Sequence, residues 1–281
     1  MDWRGRRGSQ NIEDRRSMST SGRAGGIGGV GLIVVLLIGY FLGIDVTPLL
    51  EDPGAGPSVA TKMTPADQAA GEFVSVTLAD TEDVWGAVFP DQVGKPYTPA
   101  ILVLFKGVTP SPCGGASGAT GPFYCPLDRK VYLDTEFFAT LEQRLGAGGD
   151  FAAAYVVAHE IGHHVQDELG ILSQANKVRQ KSTEEQSNQI SVRIELQADC
   201  FAGIWARQAS EQFGSLEQGD VEEAVNAARK IGDDTLQRSA GQRPMPHTFT
   251  HGTSDQRSRW FVKGYKTGDM TQCDTFGATR L

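Results

Sequence analysis

Histidine and cysteine are scarce in this chain, with five and four among 281 residues, and no cysteine has another cysteine or a histidine close to it in sequence. That spacing argues against a cysteine-based zinc site. The four thiols read instead as disulfide partners or buried free thiols. Cys113 and Cys125 bracket the Gly/Ser/Pro-rich stretch "CGGASGATGPFYC", so a bridge between them is the first expectation. A Cys200–Cys273 pair follows only by elimination.

Excess positive charge is also missing: 26 Lys and Arg face 34 Asp and Glu, for a net charge of −8. Residues 1–26 carry +3 and the remainder −11, and an acidic body argues against a nucleic-acid partner. No internal repeat is evident. At this length and 40% hydrophobic composition, one main domain with appendages is expected.

Long apolar runs are absent but for one. "AGGIGGVGLIVVLLIGYFLGI", Ala24 to Ile44, holds 21 residues without a charge, and as a helix it would be about 31 Å long, matching a bilayer's hydrocarbon core. Arg4, Arg6, Arg7, Arg15, Arg16 and Arg23 precede it, whereas Asp45, Glu51 and Asp52 follow. The positive-inside bias then makes 1–23 a cytoplasmic basic tail and 24–44 a single-pass transmembrane signal anchor in the cell membrane, with the rest of the chain extracytoplasmic. The competing readings are a cleaved signal peptide and a buried soluble helix. The long leader, with no small-residue cleavage site close behind the apolar run, argues against the first. Glycines 25, 26, 28, 29 and 31 would let a second such helix approach closely, which points to a homodimer. Residues 45–71, with Pro, Gly and small polar residues and no apolar period, read as a flexible linker. The domain proper is then 72–281.

Within it, "LADTEDVWGAVF" has helical apolar spacing with Asp80 or Thr81 available as N-cap. "AILVLF" and "KVYLD" read as short strands, and Asp134 can cap the helix that follows. A helix starting near Asp150 runs towards Gly170. A longer one begins at a Ser182/Glu185 capping box, and two more cover 221–230 and 254–266, the last with a Thr253/Gln256 box. The fold class is therefore α+β, helix-rich with a small β-sheet.

The chemistry concentrates in "VVAHEIGHHVQDELG". His159 and His163 lie four apart, so on a helix they present imidazoles to one ion, and Glu160 projects beside them where its carboxylate can hold a water on the metal. A catalytic zinc needs a third protein ligand and an open position. "IELQADCFAG" offers it: Glu195 and Asp199 share a helical face amid apolar and small residues, where a carboxylate is costly unless a dication lies beside it. Glu195 is the candidate ligand. Asp199, one turn on, can accept from the far N–H of a ligand imidazole, or else pair with Arg193 or Arg207. His164 is offset from the metal face, and a surface or supporting role suits it better. A metzincin is excluded because Gln166 and Leu169 stand where it needs a glycine and a third histidine. His247 and His251 are also four apart, but Pro244 and Pro246 precede them and Gly252 follows, so a helix is excluded. From a loop, His251 can reach the cleft and stabilise an oxyanion, as can Tyr155 with less reason.

Several motifs in order, "GPFYCP" with "VYLD", "AHEIGHHVQ", "ELQADCFAG", and "HGTSDQR" followed by "RWF", resemble the bacterial neutral zinc metallopeptidase family, over about residue 63 to the C-terminus. The resemblance implies a membrane-anchored, single-pass, zincin-like zinc protease. The helices are also similar to those of prenyl-protein endopeptidases and the heat-shock membrane protease group. That likeness implies Glu195 as third ligand and Asp199 as its support, although this chain lacks those proteins' multiple spans.

The expected activity is zinc-dependent endopeptidase cleavage outside the cytoplasmic membrane. One Zn²⁺ would be held by His159, His163 and Glu195, with Glu160 activating a zinc-bound water and passing its proton to the leaving amine. "AILVLF" is a candidate for aligning an extended peptide substrate. The rivals are a non-catalytic or latent zinc-binding scaffold, favoured if His247 or His251 proves a fourth ligand, and a zinc amidase acting on cell-wall peptides.

Overall fold

The computed structural model describes residues 1–17, 63–117 and 121–281. The apolar run 24–44 lies outside them. Among the described residues no helix is long and apolar enough to cross a membrane.

A four-stranded sheet has the order β1 (Ile12–Asp14), β2 (Ile101–Phe105), β6 (Lys130–Asp134) and β5 (Phe123–Cys125). The first three strands are parallel and β5 returns antiparallel beside β6. Strand alternation sorts its residues to two faces. Leu102, Leu104, Val131 and Leu133 enter the main core among the helices. Val103, Phe105, Tyr132 and Cys125 form a second small core with Ala116, which comes from a hairpin of β3 (Val108–Ser111) and β4 (Gly114–Ser117). The Cys113–Cys125 disulfide ties that hairpin to the sheet, as the loop composition predicts. The strand "AILVLF" is present as β2, but β1 and β6 occupy both its edges, so it cannot align a substrate strand.

Eight α-helices follow or interleave among the described residues: α1 (Pro65–Val93), α2 (Glu136–Gln143), α3 (Asp150–Glu168), α4 (Ile171–Arg179), α5 (Glu184–Phe213), α6 (Asp220–Lys230), α7 (Asp233–Ser239) and α8 (Ser254–Thr267). Helix α1 starts earlier than its apolar spacing implies. Thr64 caps it in a full capping box with Asp67, and Pro65 sits at N1, a position where a missing N–H costs nothing. The interval 45–71 is thus not all linker: its last seven residues are helical. The box that starts α5 is Thr183 with Gln186, one residue on from the expected pair, whereas the Thr253/Gln256 box of α8 stands as expected.

The long α5 is the hub, packed between α3 and α8. Phe151 of α3 stacks on Trp205 of α5 at 5.7 Å, Trp85 of α1 meets Phe201 edge-on, and Tyr155 meets Phe261 of α8 in the same way. Three glycines set how near these helices come. A Cβ at Gly162 would lie 2.9 Å from the Ala198 carbonyl oxygen, and Cβ atoms at Gly203 and Gly264 would strike the carbonyls of Phe261 and Cys200. The second disulfide, Cys200–Cys273, fastens α5 to the chain after α8.

The largest departure from the sequence reading concerns the N-terminus. Residues 1–17 are part of the folded domain, not a separate tail. Met1 and Trp3 are buried in the main core, Trp3 packs on Phe73 at 5.5 Å, and β1 pairs with β2. Two of the arginines that read as a charge signal have acidic partners far along the chain, Asp80 for Arg6 and Asp83 for Arg7, whereas Arg15 and Arg16 pair with Glu13 and Asp14 of the arm itself.

Candidate active site

Helices α3 and α5 cross at Gly162 and Ala198, and that close approach brings His159, His163 and Glu195 together. One ligand atom from each lies within 4.8 Å of the others. His159 Nε2 is 3.0 Å from one Glu195 oxygen and His163 Nε2 is 3.5 Å from the other.

The opposite ring nitrogens are fixed separately. His159 Nδ1 lies 2.8 Å from Asp199 Oδ1, the supporting contact expected of Asp199. An ionised carboxylate only accepts, so Nδ1 carries a proton and Nε2 is the nitrogen turned to the centre, where a metal would displace the proton it shares with Glu195. His163 Nδ1 is 2.9 Å from Gln166 Oε1. Gln166 is fully buried and its amide N–H₂ donates to the Ile194 carbonyl at 2.8 Å and to Gln197 Oε1 at 3.0 Å. Its oxygen must therefore face His163. Gln197 in turn donates to the Cys273 carbonyl at 3.0 Å.

Asp199 is itself saturated. Arg257 of α8, 2% exposed, forks onto it with Nε at 2.8 Å and Nη2 at 2.9 Å. The Tyr155 hydroxyl donates to it at 2.5 Å and accepts from Arg257 at 3.2 Å. Neither the Arg193 nor the Arg207 pairing considered from the sequence forms: Arg193 donates to C-terminal carbonyls and Arg207 pairs with Glu211. Tyr155 is buried and committed to this network, which excludes it as an oxyanion donor.

The electrostatics fit a cation. Burial would lower the pKa of His159, but Asp199 and Glu195 reverse this and raise it to about 10. Burial works against the His163 imidazolium too, and Glu195 again reverses it. Glu195, which burial would raise, is held well below its usual value by His163 and His159. Asp199 sits at about 2 because Arg257 and His159 outweigh its burial. Glu195 thus favours positive charge at both imidazoles that would ligate a metal, and Asp199 adds to this at His159. Glu160, 7% exposed, differs: burial raises its pKa, with His163 and His159 only tempering the rise.

His164 points away from this centre as expected, into the space beneath the sheet. Its Nε2 is 2.7 Å from the Thr98 carbonyl and its Nδ1 3.1 Å from the Tyr124 hydroxyl. Its role is structural. His251 lies on the loop before α8, half-exposed, with Nδ1 3.3 Å from Asp233. Asp233 also accepts the backbone N–H groups of Thr250, His251 and Gly252 at 2.7–2.9 Å. Burial of its surroundings opposes the His251 imidazolium, but Asp233 and the nearby Glu195 raise its pKa overall. His247 is exposed, and neither it nor His251 joins the ligand cluster.

Four residues of this arrangement escape the sequence reading: Gln166, Asp233, Arg257 and the crossing residue Gly162. Arg257 lies inside the quoted "HGTSDQR", so the motif was visible although its partner was not.

Comparison with known proteins agrees with this geometry. The chain is 46% identical over 286 residues to the uncharacterized protein YpfJ of Escherichia coli K12, covering 99% of both. It is 42% identical over 226 residues to the uncharacterized protein Rv2575 of Mycobacterium tuberculosis H37Rv, covering 75% of this chain and 74% of the relative. No solved structure matches. The model of the family described as "Putative neutral zinc metallopeptidase" matches residues 1–276, and the chain belongs to that zinc metallopeptidase family.

Proposed function

We propose that the protein is an endopeptidase that uses one zinc ion, held by His159, His163 and Glu195, to cleave peptide bonds. The observation that carries this reading is the pair of oriented imidazoles: Asp199 and Gln166 each take one Nδ1–H, so both Nε2 atoms converge with a Glu195 oxygen, where a metal would displace the protons they share with it. When bound, zinc supplies a Lewis acid that polarises a carbonyl and acidifies water. Three protein ligands leave a position open for such chemistry, whereas a structural site usually has four.

Glu160 adjoins His159 in α3, and its burial gives it a raised affinity for a proton. That suits a group that takes a proton from water and delivers it to a leaving amine. His251, oriented by Asp233 and favoured in its charged form, is the side chain available to stabilise a developing oxyanion. Arg257 and Tyr155 do not touch substrate in this scheme; they hold Asp199, and through it His159.

The test is zinc stoichiometry with casein and peptide cleavage, measured on the native chain and on Glu160→Gln. Zinc retained with cleavage lost supports the reading. Undiminished cleavage sinks the role of Glu160, and a chain that binds zinc but cleaves neither folded protein, unfolded protein nor wall peptides returns the scaffold reading.

A further inference from the structure

The N-terminal segment forms a docked arm, and its contacts bear on membrane topology. Asn11 accepts from the Leu102 N–H at 2.9 Å and Arg15 donates to the Leu104 carbonyl at 2.7 Å, so the arm completes the edge of β2. Arg6 forks onto Asp80 with both bonds at 2.7 Å, and Asp80 is 3% exposed. Ser9 and Asn11 both donate to Glu82, and Lys130 reaches Glu13 at 2.7 Å. Without the arm, Asp80 would be a buried carboxylate lacking its counter-ion, and β2 would expose an open edge.

The arm ends where the domain resumes. Arg16 is buried, donates to the Asp67 carbonyl, and lies where a side chain on Gly71 would be. The end of the arm and the start of α1 therefore lie together at one corner of the domain. Paired strands stand about 4.8 Å apart, whereas a bilayer core is about 30 Å thick. A single crossing by Ala24–Ile44 would put β1 and β2 on opposite sides, which their pairing forbids. Both disulfides belong to an oxidising compartment.

We propose that the arm, residues 1–17, and the domain, residues 63–281, lie together on the oxidising side of the membrane, so that the apolar run does not separate them. This replaces the cytoplasmic tail of the sequence reading and does not depend on the zinc chemistry. The match to the family extends through the arm, which agrees with the arm being part of the domain.

Two measurements on the full chain test it. Gln10 and Ser173 are both exposed, and Gln10→Cys and Ser173→Cys can be labelled separately in spheroplasts with a membrane-impermeant maleimide. Both are expected to label fully before lysis. Protection of either one until lysis would overturn the proposal. Docking is tested by Gly8→Cys with Ser75→Cys, because a Cβ at position 8 lies 3.5 Å from the Ser75 Cβ, within the span of a disulfide. Unreduced digests are expected to contain the peptides around 8 and 75 joined. Their failure to join in chains whose Cys200–Cys273 bond has formed would also overturn it.

Discussion

Replacing Asp199 by Asn removes one negative charge while keeping the side chain's shape, and the structure separates two effects of doing so. The first falls on the metal. His159 Nδ1–H, now 2.8 Å from a carboxylate, would face at best a neutral amide oxygen, and loss of such a supporting partner lowers metal affinity about 10–100-fold, or about 1.4–2.7 kcal/mol. The second falls on the fold. Arg257 is 2% exposed and spends two N–H groups on this carboxylate; the amide N–H₂ of Asn would compete with those donors. Leaving a buried charge without its partner costs about 3–5 kcal/mol. Urea unfolding in excess chelator reads the second effect alone, and zinc competition against a chromophoric chelator reads the first. Adding Arg257→Met should restore much of the stability, since no buried cation remains, but should not restore zinc affinity. If Asp199→Asn binds zinc within twofold of the native chain, the assignment of Asp199 as the group that orients His159 is wrong.

Three further outcomes are expected. Gly162→Ala should push α3 away from α5, because its Cβ meets the Ala198 backbone; a cost of about 1–3 kcal/mol is typical of overpacking, and zinc affinity should fall with it, so unchanged values in both assays would refute the crossing argument. His251→Ala should reduce kcat about 100-fold or more, as loss of an oxyanion donor does, with one zinc per chain retained; loss of the metal would mark His251 as a ligand instead. Asp134 is fully buried and its pKa is raised to about 6, chiefly by burial, although the Glu136 and Gly107 N–H groups oppose the rise. A raised carboxylate contributes stability below its unfolded value and loses it as pH climbs through the folded one, so relative to Asp134→Asn the native chain should lose about 2 kcal/mol between pH 4 and 8. A change under about 1 kcal/mol in paired urea titrations would show that the group is not strained by burial.

What the sequence disclosed was whatever a helix's own geometry decides. His159 with His163, and Glu195 with Asp199, are each four apart, so each pair shares a face whatever the tertiary structure, and a buried carboxylate on an apolar helix demands a cation. The short apolar runs of β2 and β6, the Thr253 cap and the Cys113–Cys125 bridge were local in the same sense. Arg257 was not, because nothing near it in sequence says that α8 lies against α5; that follows from Gly203 and Gly264, whose value depends on the opposing backbone. Gln166 was set aside as a departure from another family's pattern, yet its amide is oriented by partners 28 and 31 residues away. The arm was misread for a physical reason. A count of arginines registers charge but not pairing, and Arg6 acquires its partner only when α1 folds beneath it. The start of α1 was hidden by Ala, Gly and Gln, which carry no apolar period even though the Thr64 capping box was written beside them.

The glycine-lined contact between α5 and α8 makes the end of the chain indispensable to the chemistry at its centre. Serial C-terminal trimming should act in two steps: passing Cys273 removes the bond to Cys200 and the carbonyl that holds Gln197, and passing 254–267 removes the guanidinium that holds Asp199. Any change to the proposed site should therefore hold positions 203 and 264 constant, and in the loop between α7 and α8 should also spare His251 and the backbone that Asp233 holds.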